Sequence, residues 1–380
     1  MKNGAFMMEF LHKAIAVDTS NPPGNEKALA EYTRNVLAEY GIAAEVQDLG
    51  SNRANLVARV RGTRPGPVLA FNGHLDTVPV HDTWDAPPLE CVIANGRATG
   101  LGAVDMKGAI AAMISAALEI KSDPAIHMAG ELMLVFVADE EKQNTGAKRF
   151  LREKPSIDYV VIGEPTNLDL VTSNRGVLRL VITTRGVASH CSNPVSGQNA
   201  IYKMARLVTT LEEYAGRIAR GDREYSRKPS LAVTLVRGGT AENITPDFCE
   251  FALDRRLVAG ETMDGVEGEI RAALDVSSKA ERFDYEVRRL EELAAWGAPA
   301  ESRLLRHCVT AYERCFHRKP LAKDLGATSE AGLFAAAGAD TVIFGPGDIR
   351  FAHARNEGVP IAQLEQAASF YIELAKEILV

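Results

Sequence analysis

Two histidines and a group of carboxylates sit where a folded chain would gather them. The apolar run VLAFN leads into Gly73-His74-Leu75-Asp76, and ELMLVFVA leads into Asp139-Glu140-Glu141. YVVIG leads into Glu164, and TVIF leads into Gly345-Pro346-Gly347-Asp348, with His353 shortly after. Asp105 lies in the glycine-rich loop from Gly100 to Gly108, just ahead of an alanine-rich helical stretch. Imidazole with carboxylate is ligand chemistry for zinc, cobalt or manganese. Two such ions held about 3.5–4 Å apart form a common hydrolytic device. It needs a carboxylate to bridge the ions, side chains to complete each shell, and a spare carboxylate as base. Adjacent Glu140 and Glu141 suit that last division, one facing a metal and the other a water. In His-x-Asp, the Asp76 carboxylate can accept the second ring N–H of His74 and fix its tautomer.

Singly, each feature is ordinary. A histidine near a strand end is usually structural or solvated, paired acids often open a helix, and a glycine loop often just turns the chain or holds phosphate. Here the loop lacks a Walker lysine-serine pair and any dinucleotide fingerprint. The elements that carry the residues make the difference. Strands are predicted over 55–61, 68–72, 131–138, 159–163 and 341–344, alternating with helices. In open α/β sheets ligands bind beyond the carboxyl ends of the strands, so these residues converge on one rim.

From about 175 to 288 the pattern changes to strand, helix, strand, strand, helix, strand. That order predicts a ferredoxin-like α+β unit inserted into the first domain. The expected organisation is an α/β domain with a mixed, mostly parallel sheet over 1–174 and 289–380, interrupted by a second unit over 175–288. At 380 residues, two cores are the natural arrangement, and 46% hydrophobic residues suffice to fill them. Acidic and basic residues are interspersed with a net charge of -7, which disfavours nucleic-acid or anionic-membrane partners. The five cysteines are scattered without a CxxC pair, which argues against a disulfide framework or thiolate zinc site. The N-terminal segment reads as an amphipathic helix with Phe6, Phe10, Leu11 and Ile15 inward, not as a signal peptide. A cytoplasmic location is expected.

The motifs SNPPGNE, GHLDTVP, GLGAVDMKG, ADEE, GEPT, TRGVASH, GGTAENITPD, LDRR and GPGDIRFAH run in this order over nearly the whole chain. In that order and spacing the chain resembles the M20 metallopeptidases, in the branch of acetylornithine deacetylase and succinyl-diaminopimelate desuccinylase. The resemblance implies two divalent metal ions per subunit, zinc first, with cobalt or manganese as alternatives. It implies His74, Asp105, Glu141, Glu164 and His353 as ligands, Asp105 bridging and followed by a cis peptide. Glu140 is implied as general base and Asp76 as the partner of His74. It also implies a homodimer through the inserted unit, with His190 reaching the active site of the partner subunit to stabilise an oxyanion. Asn243 and Arg256 match residues near the substrate carboxylate, with Arg175 and Thr328 as softer matches.

The implied activity is hydrolysis of an amide in a small N-acyl amino acid, most like acetylornithine deacetylase. A desuccinylase, a dipeptidase or carboxypeptidase, a broad aminoacylase and a non-catalytic metal-binding relative are the alternatives. Two departures bear on substrate. Lys142-Gln143-Asn144 follow the acidic pair where a glycine often comes soon after, and Arg355 and Asn356 replace the Pro-Asp of the deacetylases' His-x-Pro-Asp-Glu pattern. The Thr328-Ser329-Glu330 segment and the GPGDI loop still resemble the deacetylase more closely. A succinyl group would call for a further cation, which Arg175 or Arg179 could supply.

Overall fold

Four strands that end in candidate ligands lie side by side and parallel. In the computed structural model, which describes residues 3–80, 83–193, 197–220 and 228–380, Arg64–His74 is flanked by Ala129–Val137 and Tyr159–Ile162. Asp340–Ile343 continues the parallel run beside Tyr159–Ile162. Antiparallel strands complete the mixed sheet. Arg53–Arg61 and Ala43–Gly50 lie at one end, and Leu170–Asn174 pairs Val171 with Ile343 at the other. The central strands are buried almost continuously along their final residues. That is the pattern of a sheet with helices on it, and not of one with a wet face.

The described residues divide into two units. The first runs to Thr172 and resumes over Ala298–Lys323 and Ser329–Val380; the second comprises Ser173–Gly297 and Asp324–Thr328. In the first unit, helix Asn3–Ala16 buries Met7, Phe10, Leu11, Ala14 and Ile15, the i, i+3, i+4 spacing of one helical face. Helix Glu26–Glu39 ends at Tyr40, where Gly41 takes φ +68 and its N–H reaches the Ala38 carbonyl at 3.0 Å. Helix Lys107–Ser122 is buried on nearly every side, which its alanines permit, and packs against the terminal helix Ile361–Leu379. Strand Ala43–Gly50 was not expected. It is an edge strand with a single fully buried residue, Gln47, so it carries little apolar alternation to read.

Beneath the rim, Phe71, Tyr312, Phe344, Phe370 and Tyr371 form one aromatic cluster. The rings of Phe344 and Phe370 lie 3.9 Å apart, and the Tyr371 hydroxyl donates to the Phe344 carbonyl at 2.8 Å. This packing fixes the strand end from which the Gly345 loop departs.

The second unit has the strand–helix–strand–strand–helix–strand order. Its sheet runs Ser230–Gly238, Phe248–Leu257, Gly176–Arg185, Tyr285–Leu293, all neighbours antiparallel. Phe248–Leu257 alternates half-buried and buried residues, and Phe251 and Leu253 face Leu207, Leu211, Ile270 and Leu274 of the two helices. Asn199 caps helix Ala200–Ile218 by accepting the Ile201 and Tyr202 N–H groups, and Thr262 caps Met263–Glu281 through the Gly265 N–H. The expected boundary at 288 falls inside a strand. Tyr285–Leu293 runs on because Leu293 pairs with Val177, and Asp324–Thr328 joins this unit where the Arg175 N–H reaches the Ala327 carbonyl at 3.0 Å.

Among the described residues no helix is long and apolar enough to cross a membrane. All five cysteines are free.

Phe370→Ala should cost about 3–5 kcal/mol in denaturant unfolding, because a buried ring is lost from a cluster that cannot collapse fully. Phe370→Leu should cost clearly less. A loss under about 1 kcal/mol for the alanine variant contradicts this account of the core.

Candidate active site

The strand ends bring two groups of donors together around one carboxylate. His74, Asp105 and Glu164 form one, and Asp105, Glu141 and His353 the other; within each group the donor atoms lie within 4.8 Å of one another. Asp105 divides itself between them. Its Oδ1 lies 2.9 Å from His74 Nε2, and its Oδ2 lies 3.2 Å from His353 Nε2. His353 Nε2 is also 2.9 Å from Glu141 Oε1, and His74 Nε2 is 4.0 Å from Glu164 Oε1. The peptide bond after Asp105 is cis, as the resemblance implies.

Electrostatics give the arrangement its character. Desolvation holds Glu140 and Glu164 well above the usual carboxylate range, reinforced at Glu140 by the charge of Glu164 and at Glu164 by the charges of Asp105 and Glu141. Glu141 is raised by burial against the pull of His353. Asp105 is driven the other way, because the hydrogen bonds of His353 and His74 outweigh its burial. Burial would lower His74, yet the hydrogen bond and charge of Asp105 hold it well above its ordinary value. Asp105 and Glu141 lift His353 to about 10.

Both nitrogens of His74 face acceptors. Nδ1 donates to the Asp76 main-chain carbonyl at 2.9 Å, and Nε2 faces Asp105. A proton on each Nε2 therefore stands where a cation would be bound. Among the described residues no Lys or Arg pairs with Glu140, Glu141 or Glu164. Two imidazoles and three carboxylates, short of positive charge and arranged as two groups sharing an aspartate, fit a pair of divalent ions.

Asp76 differs in detail from expectation. Its carboxylate comes no closer than 3.7 Å to His74 Nδ1, and its main-chain carbonyl takes the ring N–H instead. The carboxylate is engaged elsewhere: Oδ1 accepts the Glu140 N–H and Oδ2 the Glu141 N–H, each at 3.1 Å. It thus holds the turn that presents both glutamates. Asn21, from the Asn-Pro-Pro turn, donates to Asp76 and to Asp139 at 2.9 Å each. Asp139 takes φ +68 and is pinned by Arg53 at 2.5 Å and by the Thr145 hydroxyl at 2.7 Å. Sequence reasoning missed Asn21 and Arg53 because side chains that steady a carboxylate far away in sequence leave no spacing signature.

It also missed Glu330. That residue is 1% exposed, and burial pushes its carboxyl up to about 8. Its charge adds to the upward push on Glu140 and Glu164. Its place directly after Thr328-Ser329, already a matched segment, was the signal available.

The remaining candidates all belong to the second unit, which separates them into two sets. His190 and Asn243 lie on the short ribbon where His190 pairs with Ile244 and the Cys191 N–H reaches the Asn243 carbonyl at 3.0 Å. His190 Nδ1 accepts the Ser192 N–H at 3.2 Å and lies 2.7 Å from the Ser192 hydroxyl. Arg256 pairs with Val177 across the ladder, next to Arg175, which is tied to the segment that carries Thr328. Arg256 is held in a two-pronged pair by Asp254, at 2.7 and 3.3 Å. Between the two sets runs the 10-residue strand Gly176–Arg185, on the order of 30 Å of extended chain.

A site with this donor set defines a metal-dependent hydrolase class, and comparison with known proteins agrees. The sequence profile of peptidase family M20/M25/M40 matches residues 70–377. An acetylornithine deacetylase of Myxococcus xanthus is 31% identical over 364 residues, covering 93% of this chain and 92% of that protein. A probable succinyl-diaminopimelate desuccinylase of Staphylococcus epidermidis is also 31% identical, but over 57% of this chain and 54% of its own. The fold matches crystalline aminopeptidase PepT from Bacillus cereus with a TM-score of 0.81 at 19% identity, covering 99% of this chain and 98% of that one. The chain belongs to peptidase family M20/M25/M40 and is a metal-dependent amide hydrolase.

Raised proton affinities at this rim set the sign of a pH effect. Asp105 and Glu141 lift His353 to about 10 and burial raises Glu164, so a divalent ion competes with protons at this rim and affinity for it should rise as pH rises. Calorimetric titration with zinc in two buffers of different ionisation enthalpy should read net proton release. Affinity that is flat with pH, with no proton release, contradicts the electrostatic reading.

Proposed function

We propose that this chain removes the acyl group from a small N-acylated amino acid, most like an acetylornithine deacetylase. The observation that carries the reading is the pair of donor groups sharing Asp105, with Glu140 beside them bonded to neither. In this reading His74, Asp105 and Glu164 would hold one divalent ion, and Asp105, Glu141 and His353 the other. Zinc suits the nitrogen and oxygen donors, and cobalt or manganese would serve. When bound, such ions polarise a carbonyl and acidify water.

The chain's own groups do the rest. Glu140, whose proton affinity is raised by desolvation, takes a proton from the attacking water. The water oxygen adds to the amide carbon. As the C–N bond breaks, Glu140 returns the proton to the departing amine, and a carboxylate and a free amino acid leave. The Asp76 carboxylate keeps Glu140 aimed through its main-chain N–H.

His190 would donate from Nε2 to the oxyanion. One strand's length separates His190 and Asn243 from Arg175, Arg256 and Thr328, which suits a homodimer through the ferredoxin-like unit, each subunit lending His190 to the other. The outer strand Ser230–Gly238 exposes Leu235 and Val236 at 55% and 59%, the kind of edge that pairs with a second copy.

Acetyl is favoured over succinyl by two observations. Arg179, a candidate for the extra cation, is already paired with Asp254 at 2.9 Å and with Glu291. The deacetylase relative is also matched over nearly its whole length and the desuccinylase over about half. The scattered free cysteines fit a cytoplasmic enzyme.

The test is amine release by metal-loaded protein from N-acetyl-L-ornithine, N-succinyl-diaminopimelate, other N-acetyl amino acids and dipeptides. Strong preference for an N-acetyl amino acid is expected. Glu140→Gln should keep both ions and lose on the order of 10²–10⁴-fold in kcat, whereas Glu141→Ala should lose metal affinity. Near-normal turnover by Glu140→Gln rules it out as the base, and preference for dipeptides or the succinyl compound overturns the substrate assignment.

A further inference from the structure

Glu357 lies on the segment that carries His353, and its side chain turns beneath the glycine loop that carries Asp105. Its Oε1 accepts the N–H groups of Val104 at 2.8 Å and Asp105 at 2.9 Å, and its Oε2 accepts that of Gly102 at 3.1 Å. Its main-chain carbonyl accepts the Gly100 N–H at 2.9 Å. One residue therefore gathers four N–H groups of a six-residue stretch, while only 2% exposed. The loop has no slack to find other partners. Gly102 takes φ +78, and a Cβ there would come within 2.6 Å of the Thr77 methyl.

The segment itself is anchored on the far side. Gly358 pairs with Thr99 and Val359 with Ala98, so Glu357 is held at the start of a short strand. Upstream, His353 takes φ +60 and directs Nε2 at Asp105 Oδ2 and Glu141 Oε1. Asp105 is thus constrained twice from one segment, through its backbone by Glu357 and through its carboxylate by His353.

We propose that Glu357 is a positioning residue: its carboxylate sets the backbone of Asp105 and thereby the placement of the one side chain common to both donor groups. This rests on Asp105 serving both ions. Acting through the backbone, Glu357 touches neither substrate nor ion. A carboxylate is needed because it offers only acceptors to three converging N–H groups; an amide would set an N–H₂ against one of them.

The experiment compares wild type, Glu357→Gln and Glu357→Asp. Zinc stoichiometry and affinity are read by competition with a chromophoric chelator, the visible spectrum is taken after cobalt loading, and melting is followed without metal. The expected result for Glu357→Gln is zinc affinity weakened about 10–100-fold, the range for residues that orient a ligand from behind. The cobalt spectrum should change and kcat should fall with KM little moved, while the metal-free protein melts near wild type. Glu357→Asp, which keeps the charge on a shorter arm, should recover part of the affinity, and it carries the test if the glutamine variant does not fold. Wild-type affinity and cobalt spectrum in both variants, with only the melting temperature lowered, would mean the carboxylate merely braces the loop and would overturn the proposal. A wild type that binds no metal would instead overturn the two-ion reading on which it rests.

Discussion

Carboxylates crowded at one buried rim repel each other and resist ionising, and that constraint governs most of what surrounds them. Glu140, Glu141 and Glu164 are each pushed toward the protonated form, while Asp105 stays ionised only because two imidazoles attend it. Left to relax, such groups would turn outward to water. They stay because four parallel strands end at the same level and because the packing below, from Lys107–Ser122 to the Phe344 and Phe370 rings, leaves the rim no freedom to open. The fold stores a demand for positive charge at a defined place.

A second layer of acidic residues makes the first one hold its shape. Asp76 grips the N–H groups of Glu140 and Glu141, and Glu357 grips those of Gly102, Val104 and Asp105. Around Asp139, Asn21 and Arg53 knit the Asn-Pro-Pro turn to the same corner. These carboxylates act on main-chain hydrogens, so they fix where a ligand's Cα sits, not merely which way its side chain points. Charge-assisted bonds of this kind are among the stronger ones available, and here they are sheltered from water.

The ligand-type residues were legible in the sequence because each closes a short apolar run or a glycine loop: His74 after VLAFN, Glu164 after YVVIG, Asp105 before an alanine helix. The six-element order of the second unit was legible for the same reason, since its helices and strands carry regular apolar periods. Strand Ala43–Gly50 was not, because an edge strand with polar neighbours has almost no period to detect. The boundary near 288 was placed short because pairing of Leu293 with Val177 is a contact between distant residues. The second set of partners of the Asp76 carboxylate was not legible, for a related reason. Spacing puts it near His74, but only the fold sets the Glu140–Glu141 turn against it. Glu357, Arg53 and Asn21 escaped notice since a side chain whose partners lie far away in sequence looks like any other polar residue.

Diffraction from crystals grown with zinc, recorded on both sides of the zinc absorption edge, tests the central claim most directly. Two anomalous peaks are predicted in each chain, one touched by His74, Asp105 and Glu164, the other by Asp105, Glu141 and His353, with Asp105 common to both. A single peak, or peaks that leave Asp105 out, would contradict the view that the rim is organised around one shared carboxylate.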